Sequence, residues 1–148
     1  MSSFIGDYTC KADSKCRVVV PASFRRVLAS SQQTFFVLRK NVFENCIDMY
    51  PREEWERMIA GLKVKLNSFN ARHVAFLREF CRGTQEVEMD ANGRILLPRK
   101  ILEEVGIGKE MVLAGQDSLV QIWETKAYES VAVRPGVLGA LAVEIFQG

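Results

Sequence analysis

The chain has a single histidine, His73, and no C-x-x-C pair. Its four cysteines, Cys10, Cys16, Cys46 and Cys81, lie far apart, so the two close ligand pairs of a structural zinc site are missing. No metal is expected. No run of ~18 uncharged apolar residues occurs, which argues against a membrane-spanning helix. The opening residues, MSSFIGDYTCKADSK, carry Asp7 early and lack an apolar stretch, unlike a secretory signal. The expectation is a cytoplasmic protein whose cysteines are reduced and act as small hydrophobes. G-x-S-x-G, P-loop and G-x-G-x-x-G motifs are also missing. His73 sits among arginines (Arg72, Arg78) without the positioned partner that acid–base catalysis needs. The chain reads as a non-enzyme, with no cofactor and no small-molecule ligand implied.

What is present is an ordinary soluble composition. The 148 residues are 48% hydrophobic and 26% charged. A chain of this size buries roughly 70% of its unfolded surface, enough for one domain. The net charge of +2 conceals an asymmetry. Residues 1–40 hold seven basic and two acidic side chains, a net +5, while the other 108 hold 13 basic and 16 acidic, a net −3. A basic end on a near-neutral chain is the electrostatic footprint of a nucleic-acid or anionic-surface binder.

An internal repeat organises the chain. Lys11 to Leu28 (KADSKCRVVVPASFRRVL) matches Glu88 to Val105 (EMDANGRILLPRKILEEV) at an offset of 77. Asp13 pairs with Asp90, Arg17 with Arg94, Pro21 with Pro98, and Phe24 with Ile101. Ile47 to Trp55 matches Val120 to Tyr128 at an offset of 73, so the first copy has four extra residues near Asn41 to Asn45. Each copy reads as strand, tight turn, apolar strand, proline-opened helix and two further strands. Asn92-Gly93 is a hairpin signal, since both residues tolerate positive φ, and Gly106 occupies a helix C-cap place. One copy of about 45 residues cannot bury a stable core alone; two packed about a pseudo-two-fold axis can.

Two helices are expected between the copies. In the first, Trp55, Met58, Ile59, Leu62 and Leu66 form one stripe; in the second, Val74, Leu77 and Cys81 do so, with Phe76 and Phe80 beside them. Trp55 and Tyr128, at matching places after the repeats, read as core anchors. The apolar tail VLGALAVEIFQG reads as a short helix at an oligomer contact, or as a frayed end. The divisions are residues 1–56, first repeat; 57–83, central helices; 84–134, second repeat; and 135–148, tail, in one integrated domain.

The motif that carries chemistry is D-x-x-x-R, present twice: Asp13 with Arg17, and Asp90 with Arg94. The plain reading is an ion pair that fixes each turn. The functional reading keeps that pair and adds a task, since a carboxylate that orients a guanidinium aims its fork at a guanine edge or a phosphate. Lys11, Lys15, Arg25 and Arg26 would supply phosphate contacts around the first turn. The second turn lacks the lysine and has acidic flanks (Glu86, Glu88, Glu103, Glu104), so it should bind more weakly.

At these residues the chain resembles the MraZ family, within the AbrB-like swapped-hairpin group. The resemblance runs from Phe4 to about Tyr128 and rests on Phe4-x-Gly6-x-Tyr8, both D-x-x-x-R motifs with their prolines, and Tyr50-Pro51 with Trp55. It implies an α+β fold of two swapped-hairpin β half-barrels related by a pseudo-two-fold axis, with two central helices and C-terminal helices. It also implies a homo-oligomeric ring that binds double-stranded DNA in the nucleoid at short promoter direct repeats. Such proteins as a rule repress the division and cell-wall gene cluster that contains their own gene. In the family the first D-x-x-x-R arginine reads DNA, here Arg17 with Asp13 and Lys15, while Asp90 and Arg94 support it. The family commonly has glycine or asparagine where Cys16 stands, so the first turn should be strained or of another type. Three rivals stay open: a ring-forming scaffold without sequence-specific DNA binding, an antitoxin-like partner protein, and a redox enzyme using Cys16.

Overall fold

Strand boundaries follow the repeat. The computed structural model describes residues 3–148. The first copy forms β1 (Asp7–Lys11), β2 (Arg17–Val19), α1 (Ala22–Ser31), β3 (Phe35–Lys40) and β4 (Ile47–Pro51). Two helices follow, α2 (Arg52–Lys65) and α3 (Ala71–Cys81). The second copy forms β5 (Gln85–Glu88), β6 (Arg94–Leu96), α4 (Arg99–Glu104), β7 (Glu110–Gln116) and β8 (Leu119–Glu124). The chain ends with α5 (Thr125–Ser130) and α6 (Pro135–Gln147). The fold is α+β.

Pro21, Pro51 and Pro98 stand one place before the first turn of α1, α2 and α4, as N-caps with extended ψ, rather than inside it. Pro21 presents its carbonyl to the amides of Phe24 and Arg25, both at 3.0 Å. α4 ends at Gly106 (φ 71), whose amide reaches the Glu103 carbonyl while that of Ile107 reaches Leu102. α1 closes the same way on Gln32 (φ 56), a non-glycine residue in left-handed geometry.

Six strands form one antiparallel sheet in the order β1-β7-β8-β4-β3-β5. The first strand of each copy pairs with the third strand of the other: β1 with β7, and β5 with β3. The second strands, β2 and β6, pair only with each other. A simple hairpin is the expectation for each first pair of strands. Instead the hairpin closes only at the turn, and its strands then leave for different sheets. Alternation explains the parting: Val18, Val20, Ile95 and Leu97 point inward and are essentially sealed, so β2 and β6 cover the core as a separate two-stranded ribbon.

One core joins both copies. Phe24, Leu28, Phe36, Leu38, Ile47 and Met49 of the first pack with Ile101, Val105, Met111, Leu113, Val120 and Ile122 of the second. Phe4 completes it, edge-on to Phe24 at 5.4 Å. A smaller cluster holds Cys46, Val112, Ala114 and Trp123. Trp55 and Tyr128 are half-buried rather than core: Trp55 stacks with Phe80 at 6.1 Å, and Tyr128 leans on Trp123 and donates to Asp7 Oδ2 at 2.8 Å. The apolar stripe of α2 contains no fully buried residue, and α3 buries only Phe80. Cys81, expected on the inner stripe, is exposed. The tail is one continuous helix with its apolar side chains in solvent.

Candidate nucleic-acid interface

Each aspartate builds its turn in the same way. Asp13 Oδ1 accepts from the amides of Lys15 and Arg17, both at 2.9 Å, and Asp90 Oδ1 accepts from Asn92 at 2.8 Å and Arg94 at 3.0 Å. The second carboxylate oxygen takes the arginine Nε, at 2.7 Å from Arg17 and 3.1 Å from Arg94. The backbone closes alike, Asp13 N to Arg17 O at 2.9 Å and Asp90 N to Arg94 O at 2.8 Å. Arg17 and Arg94 amide donation is the largest influence holding each carboxyl below its ordinary pKa, so both stay ionised well into acid.

Cys16 takes the place of Gly93 without changing the turn. Its φ is 63, against 75 for Gly93, and both amides reach the aspartate carbonyl at 3.0 Å. Of the two expected outcomes, left-handed strain or another turn type, the chain adopts the first. The side chain gains something in return, because Cys16 packs against the core and shares a cleft with Leu102.

The ribbon joins the two turns. Its register pairs Arg17 with Leu96, Val18 with Ile95, and Val19 with Arg94. Cross-strand partners and alternate residues share a face, so Arg17, Val19, Arg94 and Leu96 all point outward. Carbonyls of each turn hold the other copy: Gly93 O accepts from Val20 N, and Cys16 O from Leu97 N, both at 2.9 Å. The two D-x-x-x-R motifs, 77 residues apart in sequence, thus lie on one small outward surface.

The remaining basic residues do not all gather at the first turn. Lys15 is exposed at its tip, and Arg26 is exposed on α1. Lys11 ends β1 directly across the ladder from Glu110, which offsets its charge. Arg25, expected beside the first turn, reaches across to the second. A Cβ at residue 93 would stand 2.6 Å from its Cδ and 2.9 Å from its Nη1. The repeat offset puts Leu102 where Arg25 would recur, so the second copy brings an apolar side chain to the cleft beside Cys16 at that place. Val19 and Leu96 are legible in sequence only as strand residues; their exposure follows from the β2–β6 pairing.

Elsewhere polar groups serve structure. His73 Nδ1 accepts from the Asn67 amide at 3.0 Å and closes the α2–α3 connection. Asp48 is buried and accepts from Asn41 Nδ2 at 3.0 and 3.1 Å and from Gln121 Nε2 at 3.4 Å. Burial raises its pKa despite these bonds. Among the described residues no group of three or more His, Cys, Asp or Glu side chains could hold a metal, and no helix is long and apolar enough to cross a membrane.

The family described as "MraZ protein, putative antitoxin-like" matches the chain twice, over residues 3–79 and 80–134. A relative from Bacteroides fragilis is 37% identical over 147 residues, which is 99% of this chain and 93% of that protein. One from Christiangramia forsetii is 40% identical over 129 residues, 87% and 83% of the two chains. One from Clostridium tetani is 36% identical over 126 residues, 85% and 84%. All three are named transcriptional regulator MraZ. The chain belongs to the MraZ family.

Proposed function

We propose that the chain is a sequence-specific DNA-binding transcriptional regulator that reads DNA with the outward face of the β2–β6 ribbon. The observation that carries the reading is the pair of aspartate-clamped arginines at diagonal corners of that face. Each arginine spends its Nε on the carboxylate, which leaves its terminal Nη groups for a guanine O6 and N7 or for a phosphate. A two-stranded ribbon is narrow enough to enter the major groove. Each ion pair is neutral overall, so Arg17 and Arg94 provide geometry. Net attraction to phosphate comes from Lys15, Arg25 and Arg26, with a smaller part from Lys11.

Residues 1–56 and 84–134 act as one reading unit. Residues 57–83 and 135–148 serve assembly, because Val64, Phe69, Val74 and Phe76 and the apolar side chains of α6 lie open to solvent and a second copy would cover them. The assembly is a homo-oligomeric ring, working on DNA in the cytoplasm and nucleoid. One ribbon touching a few base pairs binds weakly; several on one ring, matched to direct repeats upstream of the chain's own gene, gain effective concentration. Occupancy there would repress the division and cell-wall cluster.

The test is a titration of purified protein against DNA from upstream of its gene, carrying one, two or three repeats, and against a shuffled sequence, at several salt concentrations. Affinity should exceed that for shuffled DNA, rise steeply with repeat number, and fall with salt. Equal binding to shuffled DNA would overturn the reading. The exposed helical faces would then favour a ring-forming scaffold.

A further inference from the structure

Val19 and Leu96 are unexplained by packing. They are 53% and 56% exposed in strands whose alternate residues are sealed in the core. Single exposed hydrophobic residues are common and need no explanation. These two differ in arrangement. They occupy the same position of the repeat, 77 residues apart. The ribbon register sets them at the diagonal corners left free by Arg17 and Arg94, each directly opposite one of the two arginines. The outward surface is therefore a small apolar pair framed by two guanidiniums.

We propose that Val19 and Leu96 contact the C5-methyl groups of thymine in the major groove, so that the ribbon selects thymine beside the bases its arginines bind. This rests on the DNA-reading function proposed above. The occupant is double-stranded DNA because of what frames the patch. Guanidiniums suit an anionic partner, and the major groove is the anionic surface that also displays methyl groups, one per A·T pair. Apolar side chains met by methyl groups lose water on both sides, and the contact marks one base without using a hydrogen bond. The clamped arginines would read guanine while the aliphatic pair reads thymine, which makes the four-residue face a mixed code. A second copy of the chain is the other conceivable occupant, and the test separates it.

The probe is DNA from upstream of the chain's gene, made once with thymine and once with deoxyuracil throughout, which removes only the C5-methyl groups. Wild type should bind the thymine DNA more tightly, by about three- to tenfold for one or two buried methyl contacts. The variant carrying Val19→Ala with Leu96→Ala should bind the two DNAs alike. Both substitutions fall at exposed positions, and circular dichroism checks that the fold persists. Equal wild-type affinity for the two DNAs overturns the proposal, as does a variant that keeps the full preference for thymine. A variant that loses self-association in sedimentation, while keeping that preference, would assign the patch to a second copy. Failure of the underlying reading looks different: wild type would then not distinguish thymine-containing upstream DNA from a shuffled sequence.

Discussion

Gly93→Ala should separate the position of Arg25 from the stability of the turn it covers. Two costs meet at residue 93. The first is conformational: φ is 75, where an alanine costs ~1–2 kcal/mol relative to glycine. Stiffening the unfolded chain returns ~0.4–1 kcal/mol, so the net loss is about 1 kcal/mol. In a domain of this length that lowers Tm by roughly 2–4 °C. The second cost is steric, since the new methyl would lie 2.6 Å from Arg25 Cδ and 2.9 Å from Nη1. Arg25 can swing away, so the clash adds little to stability but removes the cation from the turn. Gly106→Ala is the control. Its φ is 71, and nothing lies within 4 Å of its added Cβ. Both variants should melt a few degrees early. Only Gly93→Ala should weaken DNA binding, with a salt slope lower by about 0.9, the signature of one lost phosphate contact. In an Arg25→Ala background Gly93→Ala should cause no further loss of binding. Undiminished affinity and slope in Gly93→Ala, or a full additional loss in that background, would refute the placement of Arg25 as a functional contact.

Other perturbations probe the frame. Gly115→Ala should remove the N-terminal segment from the sheet, because its Cβ would lie 2.5 Å from the Phe4 carbonyl oxygen, a backbone atom with no room to yield. Displacing a 2% exposed phenylalanine costs about 3–5 kcal/mol. Urea unfolding should show that loss, shared rather than added when Phe4→Ala is combined with it. Asp48→Asn should alter the pH profile of stability. Burial raises the Asp48 pKa, so the native state takes up a proton before the unfolded chain does, and wild type should gain stability relative to the variant as pH falls toward 4. Parallel urea midpoints at pH 7, 5.5 and 4.5 would contradict this. Thiol labelling followed by mass spectrometry should mark Cys81 at once and spare Cys46, which is sealed and pushed up to about 12 by burial, until the protein unfolds. Labelling of Cys46 in the native state would show that the small cluster opens.

Much of the frame is legible in the sequence because it repeats. Asp13 and Asp90 announce their turns, and the strands after them follow from alternation and from the prolines that stop them. Partner choice is not legible in this way. Nothing local in Asp7–Lys11 specifies β7 rather than β2, since both would offer an antiparallel edge. The choice comes from the shared core, which seals Val18, Val20, Ile95 and Leu97 only if the two ribbon strands meet each other. The destination of Arg25 was hidden for the same reason: it sits on α1 of the first copy but reaches the other copy's turn in space. Trp55 and Tyr128 show a further limit, because a large aromatic can dock a helix against a sheet without entering its core. Cys16 shows that a residue unfavourable for left-handed geometry can hold it when its side chain gains a place in the core.

The DNA-reading role proposed for the clamped arginines of the ribbon is open to test by their alanine variants. The most direct measurement compares wild type, Arg17→Ala and Arg94→Ala on DNA from upstream of the chain's gene and on shuffled DNA, across a range of salt. Arg17→Ala should abolish the preference for the upstream sequence, and Arg94→Ala should weaken it less, with both variants still folded by circular dichroism. If both variants prefer that DNA as strongly as wild type does, the ribbon is not the reader.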